Sequence, residues 1–304
     1  MTPEFMARMG RYWDARYGSY PAIWTVAQEI DNDFYGRYAD EAMKPWTSAA
    51  EALDRADSYD QPIMPHQEDV SSTTADNSRF ASEPWHTGFA SQWQQTDGWD
   101  RKLAEEYWNS GKPTLAYETP YEDFWTDGRH ALSALYKSYL LGMRGYGYGA
   151  SGLWNDVYSA PGEPLDAGTE YELPARYQWW HTGADRPTAG QLGHGTEFFT
   201  SLQWWKLNPR FHDSDWADFG DNEDAYLASD GNATYVALFA DGTDRTGTLK
   251  GLDTSRSYRA SWFDPRTGDR RLIDGRFEIA SGTWAAPPKP SSEDWVLLVQ
   301  KHSR

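Results

Sequence analysis

The sequence contains no cysteine, which excludes disulfides, zinc–thiolate sites and cysteine nucleophiles and says little about compartment. Positive charge is scarce: 28 Lys and Arg stand against 46 Asp and Glu, a net charge of −18 over 304 residues. That balance argues against a nucleic-acid partner, because phosphate backbones select basic surfaces, and equally against docking on anionic lipid. No apolar run approaches the ~18–20 residues of a membrane span, so no membrane insertion is expected. The opening MTPEFMARMGRYWDARYG has no signal-peptide shape; it reads as an amphipathic helix with Phe5, Met9, Tyr12 and Trp13 on one stripe. A chain of this length can bury a substantial core, in one large domain or two medium ones.

What is in excess is aromatic. There are 17 Trp, 19 Tyr and 12 Phe, or 16% of the chain. Ring faces stack on the C–H faces of sugars and carboxylates take sugar hydroxyls, so an acidic, Trp-rich chain suits carbohydrate. The plain alternative is a Trp-rich core, and about half of these rings are expected to have only that role.

Along the chain, residues 22–27 (AIWTVA) read as a short buried strand, followed at once by Gln28, Glu29 and Asp31. Two helices are expected at 34–43 and 47–57, the second with Pro45 and Trp46 at its start. Residues 62–64 form a candidate strand ending at Pro65-His66, and the polar stretch 67–82 reads as a loop. Residues 85–93 re-enter the scaffold, 99–108 form a helix, and PTLAY at 113–117 is a third strand, followed by Glu118. Residues 129–143 carry the clearest helical period, 145–154 a strand and tight turn, and 189–206 another aromatic helix. Strands alternating with helices indicate an α/β architecture with a parallel sheet.

The pattern changes near Asp213. Residues 213–224 are densely acidic, without EF-hand spacing, and read as a solvated linker. Beyond them, short β-type runs at 233–240, 246–250, 258–264, 276–279 and 295–300 alternate with Asp-Gly and Thr-Gly turns. This is the grammar of a small antiparallel β-sandwich, giving two domains, 1–212 and 213–304.

Two glutamates stand directly after buried-looking strands, Glu29 and Glu118. In a β/α barrel the C-terminal strand ends face the active site, and two converging carboxylates suit glycoside hydrolysis: one protonates the leaving oxygen, the other attacks the anomeric carbon. The plain alternative for each is a salt-bridged residue at a strand end. Trp24, Trp85, Trp125 and Trp154 are candidate stacking walls. His66 is either a hydrogen-bonding partner of a sugar hydroxyl or a loop histidine without special role. Asp31 is the second choice of acid, Glu122 reads as a helix-start carboxylate, and Arg129 and His130 read as structural. His181, His194 and His212 share no ligand spacing, so no metal or cofactor is assigned.

RYWDARYGSYPAIWTVAQEID, KPTLAYETPYEDFW, RGYGYGASGLWND, SWFDPRTG and EDWVLL, in that order, resemble the apiosidase-like glycoside hydrolases. The resemblance implies a (β/α)8 barrel followed by a β-sandwich labelled as collagen-binding in that family. It makes Glu29 the acid/base, with Gln28 beside it in the substrate site, and Glu118 the nucleophile of a retaining enzyme. Its substrate would be a plant or bacterial polysaccharide, cleaved at a furanosyl linkage, outside the cell or in the periplasm. Many members carry Asp in a Gly-Gly-Asp-like run where this chain has Gln28-Glu29; the extra methylene moves the proton donor by about 1.5 Å. The resemblance begins just before the fourth strand, so the barrel is expected to be partial. A fragment of a longer gene product, or a second chain completing the barrel, would account for this, and the fragment is favoured. The rival reading is a non-catalytic carbohydrate-binding protein or an inactive fragment of such an enzyme. The collagen label alone does not fix a function.

Overall fold

A computed structural model of the chain describes residues 1–29, 39–69, 79–93, 101–153, 184–231, 233–240 and 242–302. They form two compact units, Met1–Thr119 with Met143–Gly147, and Pro120–Gly142 with Tyr148–Arg304. The architecture is mixed α/β with antiparallel sheets toward the C-terminus. Among the described residues no helix is long and apolar enough to cross a membrane.

The first unit begins with α1 (Pro3–Tyr17), capped by the Thr2 side chain, which accepts from the Phe5 amide, with Pro3 in the first turn. Its buried face follows the aromatic stripe that the sequence suggests only in part: Trp13 packs against the core of the first unit. Met6 and Gly10 are buried, whereas Phe5 and Tyr12 are 44% and 52% exposed. Gly10 decides this: a Cβ there would collide with the carbonyl of Ala49, so the missing side chain is what lets α1 lie close on α2 (Ala39–Ala56). The helix α2 runs through Pro45, where the sequence predicts a break. Burial of Ala49, Ala50, Ala52 and Leu53 offsets the hydrogen bond that Pro45 cannot make. Leu53 and Ala50 pack with Val26, Ala27, Ile63, Phe80 and Trp85 in one core.

The segment 24–28 pairs with its neighbour through parallel bridges, Trp24 with Ile63 and Gln28 with His66. The neighbouring strand does not stop at Pro65 but continues as β1 (His66–Asp69), so residues 67–69 of the expected loop are strand instead. Pro65 has no N–H, but the amides that pair with segment 24–28 are those on either side of it, Met64 donating to Trp24 O at 2.8 Å and His66 to Ala27 O at 3.0 Å. β1, β2 (Phe89–Gln92) and β3 (Thr114–Glu118) form a parallel sheet in that order. A parallel bridge from Ala116 to Tyr146 extends the pairing by one more segment. α3 (Arg101–Asn109) stands between β2 and β3 in the chain and buries Ala104 and Tyr107.

In the second unit α4 (Gly128–Leu140) is capped by Asp127, whose carboxylate accepts from the His130 amide. Arg129 donates twice to Asp294, at 2.7 and 3.0 Å. α5 (Pro187–Thr200) packs on α4, with Tyr136 against Phe199 at 5.7 Å. A six-stranded antiparallel sheet runs in the order β10-β9-β12-β7-β6-β4, from Arg270–Glu278, Ser257–Phe263, Trp295–Lys301, Thr234–Phe239, Ala225–Ser229 and Asn208–Pro209. A second sheet, β11-β8-β5, comes from Trp284–Ala285, Thr248–Leu249 and Ala217–Asp218. Leu249 of the small sheet shares a core with Tyr235, Ala237, Phe239, Trp262 and Leu297 of the large one. The acidic stretch is not merely a solvated linker. It holds β5, and Trp216, Ala217 and Phe219 pack against this core between exposed carboxylates.

Candidate functional site

The site grows from the C-terminal ends of the parallel strands. β3 pairs with β2 as Ala90–Leu115 and Ser91–Ala116, and then Gln92 meets Glu118, so that Tyr117 is an extra residue on β3. Side chains alternate faces with a period of two, and the extra residue therefore keeps Glu118 on the face of Gln92 and Ala90. On the other side of β2, His66 pairs with Ala90, so it occupies the same face. The Trp93 amide, donating to Glu118 O at 2.6 Å, closes the ladder just beyond.

His66 and Glu118 meet across β2. The Nε2 of His66 lies 3.3 Å from Oε2 of Glu118, with side chains only 4% and 12% exposed. Neighbouring strands are ~4.8 Å apart, so first and third strands are roughly twice that, and both side chains must lean over the middle strand. On that face β2 presents Gln92, the partner of Glu118, and Ala90, the partner of His66, whose small side chain leaves room on the His66 side. Burial pushes His66 down to about 4, so near neutrality the imidazole is uncharged and the contact is not an ion pair. Nor is it an aligned hydrogen bond: Nε2 has no hydrogen-bond partner in this geometry. The bulged Tyr117, 42% exposed, sets its ring 4.8 Å from the imidazole.

Glu29 is tied to the same histidine through the backbone. Its amide donates to His66 O at 2.9 Å, and its φ of 49° is left-handed. A non-glycine residue held there is strained, and such strain is concentrated at functional sites. Gln28, paired with His66, is exposed, and Trp24 is half-buried.

The surroundings of the other described sequence candidates are as follows. Trp85 is a core residue, 2% exposed and 5.3 Å from Phe80, so its faces meet protein rather than ligand. Trp125 stands in the second unit, packed on Tyr121 and Phe124. Trp154, Asp31 and His181 lie outside the described residues. His66 is not a loop residue but the first of β1. Glu122 does not start a helix. It is buried in the second unit, accepting from Tyr148 Oη at 2.6 Å and Thr188 Oγ1 at 3.1 Å, with Arg186 at 3.9 Å. Among the described residues no group of three or more His, Asp or Glu is placed to hold a metal ion.

One residue of the site escaped the sequence reading. Gln92 is fully buried, on the face of His66 and Glu118, and neither its Oε1 nor its Nε2 has a partner. The signal is a single amide within FASQW, whose neighbours are apolar or small, and one polar residue produces no period.

Comparison with known proteins places these observations. The sequence model of the apiosidase-like catalytic domain matches residues 1–206, and a model named for the collagen-binding domain of a collagenase matches residues 217–300. No curated protein matches. A solved structure of a glycoside hydrolase is similar with a TM-score of 0.75 at 17% identity, covering 100% of this chain and 70% of that one. A glycoside hydrolase family 5 structure from Bacteroides vulgatus gives 0.74 at 16% identity, covering 99% and 67%. At such identities the likeness is one of fold. The catalytic-domain match, in contrast, runs through two thirds of the chain and takes in Glu29, His66, Gln92 and Glu118, and by it the chain belongs to the apiosidase-like family of glycoside hydrolases.

Proposed function

We propose that this glycosidase works with retention, Glu118 serving as nucleophile and Glu29 as acid/base, on a plant or bacterial polysaccharide at a furanosyl linkage. The observation that supports this best is that both glutamates meet His66, Glu29 by a hydrogen bond from its amide and Glu118 by close contact of its carboxylate. In the first step a Glu118 oxygen attacks the anomeric carbon while the bond to the leaving oxygen breaks. Glu29, as the acid, gives that oxygen its proton. In the second step Glu29, as the base, takes a proton from water; the water oxygen attacks the anomeric carbon and Glu118 is released. An uncharged His66 leaves the negative charge on Glu118 undivided, which favours attack. Gln28 and Trp24 are assigned to the bound sugar.

The same reading makes 1–212 the later part of a (β/α)8 barrel and 213–304 a β-sandwich. In its favour, the pairings of segments 24–28, 63–69, 89–92, 114–118 and 146 are all parallel and join successive segments. The strand pairings between residues 208 and 301 are all antiparallel, in two sheets with one shared core. Its work is placed outside the cytoplasm, where polymeric carbohydrate is met.

Chemical rescue tests the roles. On a panel of aryl furanosides and pyranosides, Glu118→Ala and Glu29→Ala should each lose about 10³-fold or more in kcat. Azide should restore turnover in both, giving a glycosyl azide of inverted configuration from Glu118→Ala and of retained configuration from Glu29→Ala. Exchange of those two products would reverse the assignment. Unimpaired variants would remove it, and a chain that binds oligosaccharide without turning over would point to the binding-protein reading.

A further inference from the structure

We propose that Gln92 is a positioning residue that links His66 and Glu118, its amide oxygen accepting from His66 Nε2–H and its amide N–H donating to the Glu118 carboxylate. The inference rests on the reading of Glu118 as the nucleophile. Gln92 is fully buried, so it does not touch the sugar and acts through its neighbours.

Three buried polar atoms on one face carry the argument: His66 Nε2, Gln92 Oε1 and Gln92 Nε2 lack hydrogen-bond partners. Buried polar groups are costly unless bonded, and an amide carries both functions needed, an acceptor and a donor. Register places them within mutual reach. Gln92 is the strand partner of Glu118, and it stands two residues from Ala90, the partner of His66. The Glu118 oxygen is already 3.3 Å from His66 Nε2 without a hydrogen bond between them, so an amide turned toward both from position 92 would join all three. In the joined state the uncharged imidazole donates to the amide and the amide donates to the carboxylate. Such a chain fixes the carboxylate in one orientation and favours its ionised form. Two titratable side chains stand against His66, those of Tyr117 and Glu118.

Two variants of the full chain test it. Gln92→Met keeps the shape and removes both hydrogen-bonding functions; Gln92→Glu keeps the shape, removes the donor and adds a like charge. In Gln92→Met the acid limb of the kcat/KM pH profile should move up by about one pH unit. Its kcat should fall about 10- to 100-fold with little change in KM. In Gln92→Glu the limb should move further. A residue that only fills space would alter stability without moving the limb, so unshifted limbs in both folded variants would overturn the proposal. If the wild type turns over no glycoside, the nucleophile reading fails, and the geometry is still tested by NMR titration of the His66 ring. In Gln92→Glu that titration should rise by a pH unit or more above its wild-type position; an unchanged titration would show that the side chain at 92 does not face His66.

Discussion

His66 on β1 and Glu118 on β3 touch at 3.3 Å across a strand that separates them, and on that face of the strand stand Gln92, the partner of Glu118, and Ala90, the small partner of His66. A larger side chain at position 90 would occupy the room on the His66 side. Ala90→Leu should therefore lower kcat about 10- to 100-fold. Overpacking should also cost about 1–3 kcal/mol of stability. Steady-state kinetics and urea unfolding check the two effects; a variant with wild-type kcat would show that the contact does not pass over β2.

Glu29 should behave as a residue whose backbone strain is retained for its carboxyl group. Its φ of 49° suits glycine better than any L-residue. Glu29→Gly should be as stable as the wild type or more so, by roughly 0.5–1 kcal/mol. It should at the same time lose hydrolysis of poor leaving groups, which need a proton, and lose less with dinitrophenolate. Thermal unfolding measured beside kinetics on the two substrate types tests this; a clear loss of stability would place the residue's importance in the fold.

Stability of the first unit should fall in acid in a defined window. Burial holds His66 down to about 4; burial, with the Lys112 charge second, does the same to His86. Lys112 Nζ lies 3.1 Å from His86 Nδ1 and donates to Ala81 O and His86 O, an arrangement that needs an uncharged ring accepting at Nδ1. In both cases the folded pKa is below the unfolded value, so the unfolded chain takes up protons first. The contribution is complete above about pH 6.5 and is lost as the pH falls to about 4, on the order of 2–3 kcal/mol per histidine. Tm should drop through that window, and His86→Phe should flatten part of the slope. A Tm constant from pH 7 to 4 would contradict the buried, uncharged state.

Gly10 should tolerate no side chain. Its absent Cβ faces the backbone carbonyl of Ala49, which cannot rotate away. Gly10→Val should cost about 1–3 kcal/mol through forced separation of α1 and α2. Chemical denaturation of the full chain measures it, and a neutral substitution would mean that the two helices are free to move apart.

What could be read from the sequence follows from how local the cause is. The strand PTLAY and the glutamate at its end are visible because an apolar run followed by a carboxylate is a local pattern, and the order of the motifs carried the family. Proline is a poor guide at two places, where tertiary packing outweighs its local effect: Pro65 lies within a strand that continues, and Pro45 within a helix held by its buried alanines. The buried face of α1 was hidden because its key contact is made by a missing side chain, Gly10. Tyr117 shows the same limit at the site. Nothing in TLAYE announces a bulge, yet the bulge decides on which face Glu118 emerges. Gln92 is legible only once the register puts it beside Glu118.

The assignment of Glu118 as nucleophile is tested most directly by trapping. The full chain should be incubated with dinitrophenyl 2-deoxy-2-fluoro-glycosides of the sugar that it hydrolyses, digested, and the labelled peptide sequenced by mass spectrometry. The account predicts one fluoroglycosyl group per chain, on Glu118, with reactivation by added acceptor. A label on another carboxylate, or inverted product from a chain that turns over without trapping, would contradict it.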